Sequence, residues 1–441
     1  MLSPMIENKD HEAVPDAANQ AKPTQFMRLF GVLSSLNAFD SLRYRDYRLI
    51  WYGQIFSSMG QWMDEVTRGW LMYQLTNSTV QLGLVIGIQA IPFLFLSPLA
   101  GGTADRYSRK TQVVWAQSVN GLLYALTALL ICTGWIRSWH LYVTAFLMAS
   151  VQAFMLPART AMISDAVPRH CLTNAIGLSS IVWNLARSTG PALAGVLIAA
   201  LGTGNTYYIQ AAIFFLATYW TVKLSPVLPF AAKTNGYPVQ KESFAQSIIE
   251  GWKFSWRNEA VRMGVITVML LSLFMIPFRT LLPVFARDIL KIGATGQGLL
   301  LTAMGFGALC SSVLIATTGD KLPRGKLMLG AVTLYGFILA IFACSSWFKL
   351  SLVMMGLAGI CNVLSYALVQ TVIQSYSPAE FRGRTMAIFS MSQVVATTGS
   401  ILIGALSFLL GVRWAVASLG LLGSLCMIIV YIAMPRARFI R

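Results

Sequence analysis

The string ADRYSRK at residues 104–110 returns at 319–326 as GDKLPRGK, with Asp105 over Asp320 and Arg109 over Arg324 at an offset of 215. Two more echoes follow in the same order. VPRHCLTNAIGLSS (167–180) returns as SPAEFRGRTMAIFS (377–390), with Pro168 over Pro378. NLARSTGPALAG (184–195) returns as QVVATTGSILIG (393–404), with Gly190 over Gly399 and Gly195 over Gly404. Three ordered matches at nearly one offset mark an internal duplication of a unit about half the chain long.

Around these echoes lie apolar runs of about 20 residues, the length a helix needs to cross a hydrocarbon core of ~30 Å. Twelve are expected, near 48–74, 82–102, 112–134, 140–158, 173–200, 206–225, 260–286, 297–318, 327–347, 350–372, 385–410 and 413–434. The alternating strands of an outer-membrane barrel are not seen, and helices satisfy their own backbone amides in lipid. The expected fold is therefore an all-α membrane protein, twelve transmembrane helices in two pseudo-symmetric six-helix bundles. Its parts are a cytoplasmic tail (1–45), a first bundle (46–227), a linker (228–259), a second bundle (260–434) and a basic tail (435–441). Within the linker, AQSIIEGWKFSWRN reads as an amphipathic interfacial helix carrying Trp252 and Trp256.

Composition removes the soluble classes. Of 441 residues, 56% are hydrophobic and 11% charged, against about 25% charged in soluble chains. The formal net charge of +17 would suggest nucleic acid in a soluble protein, but the cations sit in small groups between apolar runs, as in cytoplasmic loops. With both termini inside, 25 of the 33 Lys and Arg fall on the cytoplasmic side and 5 outside, so the inner membrane and that orientation are expected. Six isolated cysteines and three scattered histidines provide neither a disulfide ladder nor a metal site. The first 25 residues lack the apolar core of a cleavable signal, and GDKLPRGKL has the wrong spacing for a nucleotide-binding P-loop. Two parallel repeats place a cavity on the axis between them and move by alternating access. Uphill transport would then draw on an ion gradient. No cofactor, metal or nucleic acid is expected; the partners are a small-molecule substrate, protons and membrane lipids, and the chain is expected to be monomeric.

The string GGTADRYSRK, 101–110, resembles the helix 2–3 loop of the major facilitator superfamily, with Gly102, Asp105, Arg106, Arg109 and Lys110 in matching places. The resemblance implies a conformational latch in which Asp105 meets the start of helix 11, near Arg384 and Thr385, with Asp320 and Arg324 as its copy in the second half. A topogenic basic loop with a helix cap is the plainer alternative. In helix 5, Gly177, Ala186, Gly190, Pro191, Ala194 and Gly195 resemble the superfamily's antiporter signature, which implies export. Ordinary small-residue packing accounts for them equally well. Finally, RYRDYRLIWYGQIFSSMGQWM (43–63), LPARTAMISDAVPRHCLTNAIGLSS (156–180) and RSTGPALAG (187–195) resemble the enterobactin-exporter branch, which implies a medium-sized amphipathic cargo.

Charges inside spans carry the chemistry, because burying one costs at least about 2.5–3.5 kcal/mol. Asp64 and Arg68 stand one turn apart and read either as a self-neutralising pair or as part of a proton site. Glu65 points about 100° away. Asp64 and Glu65 are the proton-coupling candidates, and Arg68, Arg187 and Arg279 are the cavity candidates, Arg187 suiting a carboxylate or catecholate. The offset of 215 places Asp64 opposite Arg279 across the axis. Trp62, Trp70, Trp183, Phe274 and Phe278 read as chamber lining or as packing. Together these give a proton-coupled exporter of a siderophore or drug-like molecule, with an importer or lysolipid translocator as the alternative and a scaffold or enzyme more remote.

Overall fold

Ten apolar helical stretches among the described residues are long enough to cross a bilayer, and one of them, Arg169–Val222, has 54 residues, enough for two passages. The computed structural model describes residues 39–226, 244–318 and 323–435, apart from the side chains at 97–99, 101–102, 104–106, 244–249, 316, 318 and 379. Adding Arg45–Thr76, a 32-residue helix whose mid-helix charges lower its hydropathy, makes twelve crossings among the described residues.

In chain order they are α1, Arg45–Thr76; α2, built from Thr79–Gly87 and Ala90–Arg106; α3, Arg109–Cys132; and α4, Ser138–Ala166. The two limbs of Leu172–Val222 are α5 and α6. The second half runs from α7, which starts as Glu259–Leu270, through α8, Gly293–Thr318; α9, Arg324–Cys344; α10, Phe348–Tyr376; α11, Ala379–Leu410; and α12, Val412–Ala433. The loops at 76–79, 132–138, 289–293, 344–348 and 410–412 share one end of the bundle, termed the far end. The opposite end carries Arg43, Arg48, Arg109, Lys110, Arg382 and Arg384 and is termed the basic end.

Local chemistry sets the irregularities. Pro92 has no N–H for the carbonyl four residues back and its ring crowds that group, so α2 breaks at Ile88 and Gln89. Between α5 and α6 the chain turns at Gly202 alone (φ 81°, ψ 166°), a conformation closed to residues with a Cβ. Helical dihedrals continue through Pro191, so the break in this long element is at Gly202. In α7, Pro277 and Pro283 disturb two successive turns. The winding passes through a π turn at Leu271–Met275, a 3-10 turn at Ile276–Leu281 and a second π turn at Phe285–Ile289. Arg279 lies in this rewound segment; Pro283 has no N–H to give its carbonyl, which accepts instead from the Leu282 N–H.

The outer surface is apolar, the inverse of a soluble protein. Trp115, Leu122, Leu126 and Leu129 form an exposed stripe on α3, and Trp135, Trp139, Trp347 and Trp414 are exposed at the far end, where aromatic rings anchor at a headgroup layer. The linker helix, Phe244–Arg257, presents Trp252 and Trp256, whose rings stack at 6.0 Å, and is tied by Glu250 to Arg384 on α11. Residues 1–38 of the expected tail 1–45, residues 436–441 of the expected tail 435–441, and residues 227–243, which include the first half of the expected linker 228–259, lie outside the described residues.

The halves meet through small residues near the far end. A methyl group on Gly83 of α2 would collide with the Ser400 carbonyl of α11, and one on Gly404 would lie 2.7 Å from the Thr79 carbonyl. The Thr79 hydroxyl donates to the Gly404 carbonyl at 3.1 Å. Gly195 of α5 would meet Ala294 of α8, and Gly298 would meet Pro191, each at 2.5 Å. Backbones this close gain dispersion over a long seam, which is how helices associate in lipid.

Candidate functional site

Between the halves lies a chamber of about 610 Å³. Its walls take Gln61, Asp64, Glu65 and Arg68 from α1, Asn120 and Tyr124 from α3, Met148, Gln152 and Leu156 from α4, and Trp183 from α5. The facing wall takes Arg279 and Pro283 from α7, Gln297 from α8 and Gln393 and Thr397 from α11. A second cleft, about 630 Å³, opens on the outer surface beside exposed Trp115 and Tyr107. It holds none of the charged candidates.

The α1 charges divide between the halves. Arg68 donates to Asp64 Oδ2 from Nε (2.9 Å) and Nη2 (2.6 Å), and Nη2 also reaches the Met148 sulfur at 2.8 Å. Asp64 is thus tied within its own half. Arg279 pairs with Glu65, its Nη2 lying 2.8 Å from Oε1 and 3.0 Å from Oε2. The expectation that Asp64 faces Arg279 is therefore corrected: Glu65 is the partner. The repeat offset drifts between 209 and 215 along the sequence, and an error of one residue turns a helical side chain by about 100°.

Trp62 is the hub of the charged layer. Arg187 lies over its ring at 5.7 Å and Arg279 at 5.8 Å, distances at which a cation is drawn to the face of an indole. Trp183 packs edge-on against it at 5.4 Å. Arg187 also donates to Asn362 Oδ1 of α10 at 3.2 Å, so it too bridges the halves. Phe278, by contrast, is buried against Tyr335 and Phe342 in the second half. Nearer the far end, the Tyr73 hydroxyl bonds Asp288 and Arg287 donates to Asn77 Oδ1 at 2.8 Å. Arg287 and Asp288 lie beyond the expected end of the seventh span at 286, and no sequence signal points to this outer layer. Polar atoms around the chamber also remain buried without a hydrogen-bond partner, among them Asp64 Oδ1, Arg68 Nη1, Trp62 Nε1, Arg279 Nε and Gln297 Oε1. Such groups are costly unless a solvent molecule or a cargo meets them.

The other candidates are dispersed. Of the latch residues, the side chains of Asp105 and Arg106, and with them Gly102, lie outside the described side chains, and Asp320 lies outside the described residues. Arg109 forms an ion pair with Asp165 at the end of α4, within the first half. Lys110 donates to the Leu224 carbonyl at 2.6 Å. Arg324 opens α9. In the helix 5 stripe, Gly190 packs on α1, where a methyl would sit 2.9 Å from Trp62 Cβ, whereas Gly195 and Pro191 face α8. Gly177 has open space around it, so the close-packed stripe does not extend that far. Arg159, beyond the expected end of the fourth span at 158, is 8% exposed inside α4. Among the described residues no cluster of three metal-ligating side chains occurs, and all six thiols are free.

A twelve-helix bundle split around a charged mid-span chamber is the architecture of a membrane carrier, and comparison with known proteins agrees. The description transmembrane secretion effector, a class of major facilitator proteins, matches residues 36–439. The chain belongs to this family. It is a multi-pass membrane transport protein. It is 25% identical to the multidrug efflux pump Tap of Mycolicibacterium fortuitum, over 88% of this chain and 96% of that one. It is 23% identical to the staphyloferrin A transporter of Staphylococcus aureus, over 85% of this chain and 92% of that one. Among solved structures, a POT family transporter in complex with 5-aminolevulinic acid superposes with a TM-score of 0.71 at 12% identity, covering 89% of this chain and 96% of that one. At that identity the likeness concerns the fold alone.

Proposed function

We propose that the protein is a proton-coupled exporter of a small amphipathic molecule, siderophore-like or drug-like, working by alternating access across the inner membrane with its basic end in the cytoplasm. The observation that carries this reading is the Glu65–Arg279 bridge, which joins α1 to α7 at the chamber wall. With the Gly83–Ser400 and Gly195–Ala294 seams and the Tyr73–Asp288 layer, it holds the far end shut. Opening that end requires the bridge to break. A proton on Glu65 removes one of its charges, and a cargo that competes for Arg279 does the same from the other side. Asp64 stays with Arg68 and keeps α1 neutral while the halves part, so Glu65 is the switching carboxylate and Asp64 the positioning one. Efflux and siderophore relatives support the exporter reading; the small-residue face of α5 against α8 is consistent with it.

The test is transport in inverted membrane vesicles with an imposed pH gradient. Cargo accumulation driven by acid inside the vesicles, lost on collapse of the gradient and lost in Glu65→Gln, is expected. Uptake that ignores the gradient, or that runs only in the opposite orientation, refutes the assignment.

A further inference from the structure

The charges around the chamber do not cancel. Asp64 neutralises Arg68 and Glu65 neutralises Arg279, which leaves Arg187 and Arg159. Among the described residues no carboxylate reaches either guanidinium. Arg187 has the Asn362 amide oxygen and the Trp62 ring. Arg159 has the Met155 sulfur at 3.3 Å, while its Nε is buried without a partner. A cation in low dielectric without a counter-ion is strongly disfavoured unless something negative visits it.

Neither guanidinium is part of the chamber lining, but helix geometry sets both on or beside the helix faces that supply it. On α4 the lining residues Met148, Ala149, Gln152 and Leu156 fall within an arc from about −40° to +60° around Gln152, at about 100° per residue. Arg159 falls at about −20° on the same count, inside that arc and ~10 Å nearer the basic end. On α5, Arg187 is about 40° from the lining residue Trp183 and ~6 Å nearer the far end. Both cations therefore stand on the basic-end side of the neutral pairs, Arg159 nearer that end and Arg187 level with Trp62.

Resting on the export reading above, and narrowing its substrate class, we infer that the cargo is an amphipathic organic anion bearing a carboxylate. Arg159 draws the carboxylate from the basic end, and Arg187 seats it with the apolar body against Trp62 and Trp183. The seated charge lies beside Arg279, which shares the Trp62 ring, and competes with Glu65 for it. Cationic bodies of the same shape are turned away by the same two arginines.

The probe is 2-naphthoate, compared with 2-naphthylmethylammonium, which has the same ring system and the opposite charge. Binding to the purified full chain in nanodiscs is measured at equilibrium without any gradient. Saturable naphthoate binding is expected in the wild type, at least tenfold tighter than that of the ammonium probe. Arg187→Gln weakens it at least tenfold, Arg187→Lys recovers part of the loss, and Arg159→Gln slows association. If Arg187→Gln fails to fold, Asn362→Asp serves, since it places a built-in carboxylate beside Arg187 and should abolish naphthoate binding with the arginine still present. Ammonium binding as tight as naphthoate, naphthoate binding unchanged in Arg187→Gln or Asn362→Asp, or no saturable binding of either probe overturns the inference. A failure of proton-driven export in vesicles bears on the transport reading and leaves this binding result standing.

Discussion

Replacing Glu65 by Gln removes one charge from the only carboxylate–arginine contact that joins α1 to α7 at the chamber among the described residues, and its effect follows from the geometry. At 2.8 Å, two unit charges attract by about 6 kcal/mol at an effective dielectric near ~20. Water reaches both partners, with Glu65 31% and Arg279 20% exposed, so screening and desolvation cancel much of this. The low end of the range for truncating one partner of such a pair, about 2 kcal/mol, is the appropriate figure. It shifts the ratio of far-end-closed to far-end-open molecules about 30-fold, at 1.4 kcal/mol per decade. The assay is pulsed electron paramagnetic resonance between spin labels at Thr133 and Lys349, exposed far-end residues in opposite halves, after replacement of the six native cysteines. Glu65→Gln should move population from a short to a long distance by that order, and the charge swap Glu65→Arg with Arg279→Glu should restore the short one. A distance distribution indistinguishable from the wild type refutes the bridge as the far-end lock.

Three other substitutions have definite outcomes. Asp64→Asn strands Arg68, whose side chain is 7% exposed, and should cost about 3–5 kcal/mol of stability, seen as a lower melting temperature; Asp64→Leu with Arg68→Met should recover stability without transport. Gly83→Val drives a side chain into the Ser400 carbonyl, so it should part α2 from α11, lengthen the Thr133–Lys349 distance and abolish transport while the protein still inserts; normal transport would show that the seam is not needed. Asp105→Asn should cripple transport without affecting insertion, measured as export rate at matched expression, and wild-type rates would refute the latch.

The gross architecture was legible because lipid writes large signals. Crossing lengths, the duplication and the segregation of cations all follow from one-dimensional patterns. The choice between Asp64 and Glu65 was not legible, because it depends on a register finer than the drift between repeats. Arg159 escaped for another reason: it follows Pro157 and precedes a basic loop, and hydropathy cannot separate a cation sunk in a helix from one in the turn beyond it. The Arg287–Asn77 and Tyr73–Asp288 contacts were hidden because loop charges carry no sign of what lies opposite. Trp62 was legible as an aromatic near the chamber, but its place between two arginines needed the fold.

The corner at Gly202 leaves no slack between α5 and α6. A displacement delivered to α5 by its partner α8 at Gly195 passes through one residue into α6. There Gln210 donates to the Thr67 hydroxyl of α1 at 2.8 Å, one residue from Arg68 and two from Glu65. Three helices are thereby yoked into one stiff plank, so a nudge from across the divide reaches the ionic switch by leverage, without first having to bend any helix.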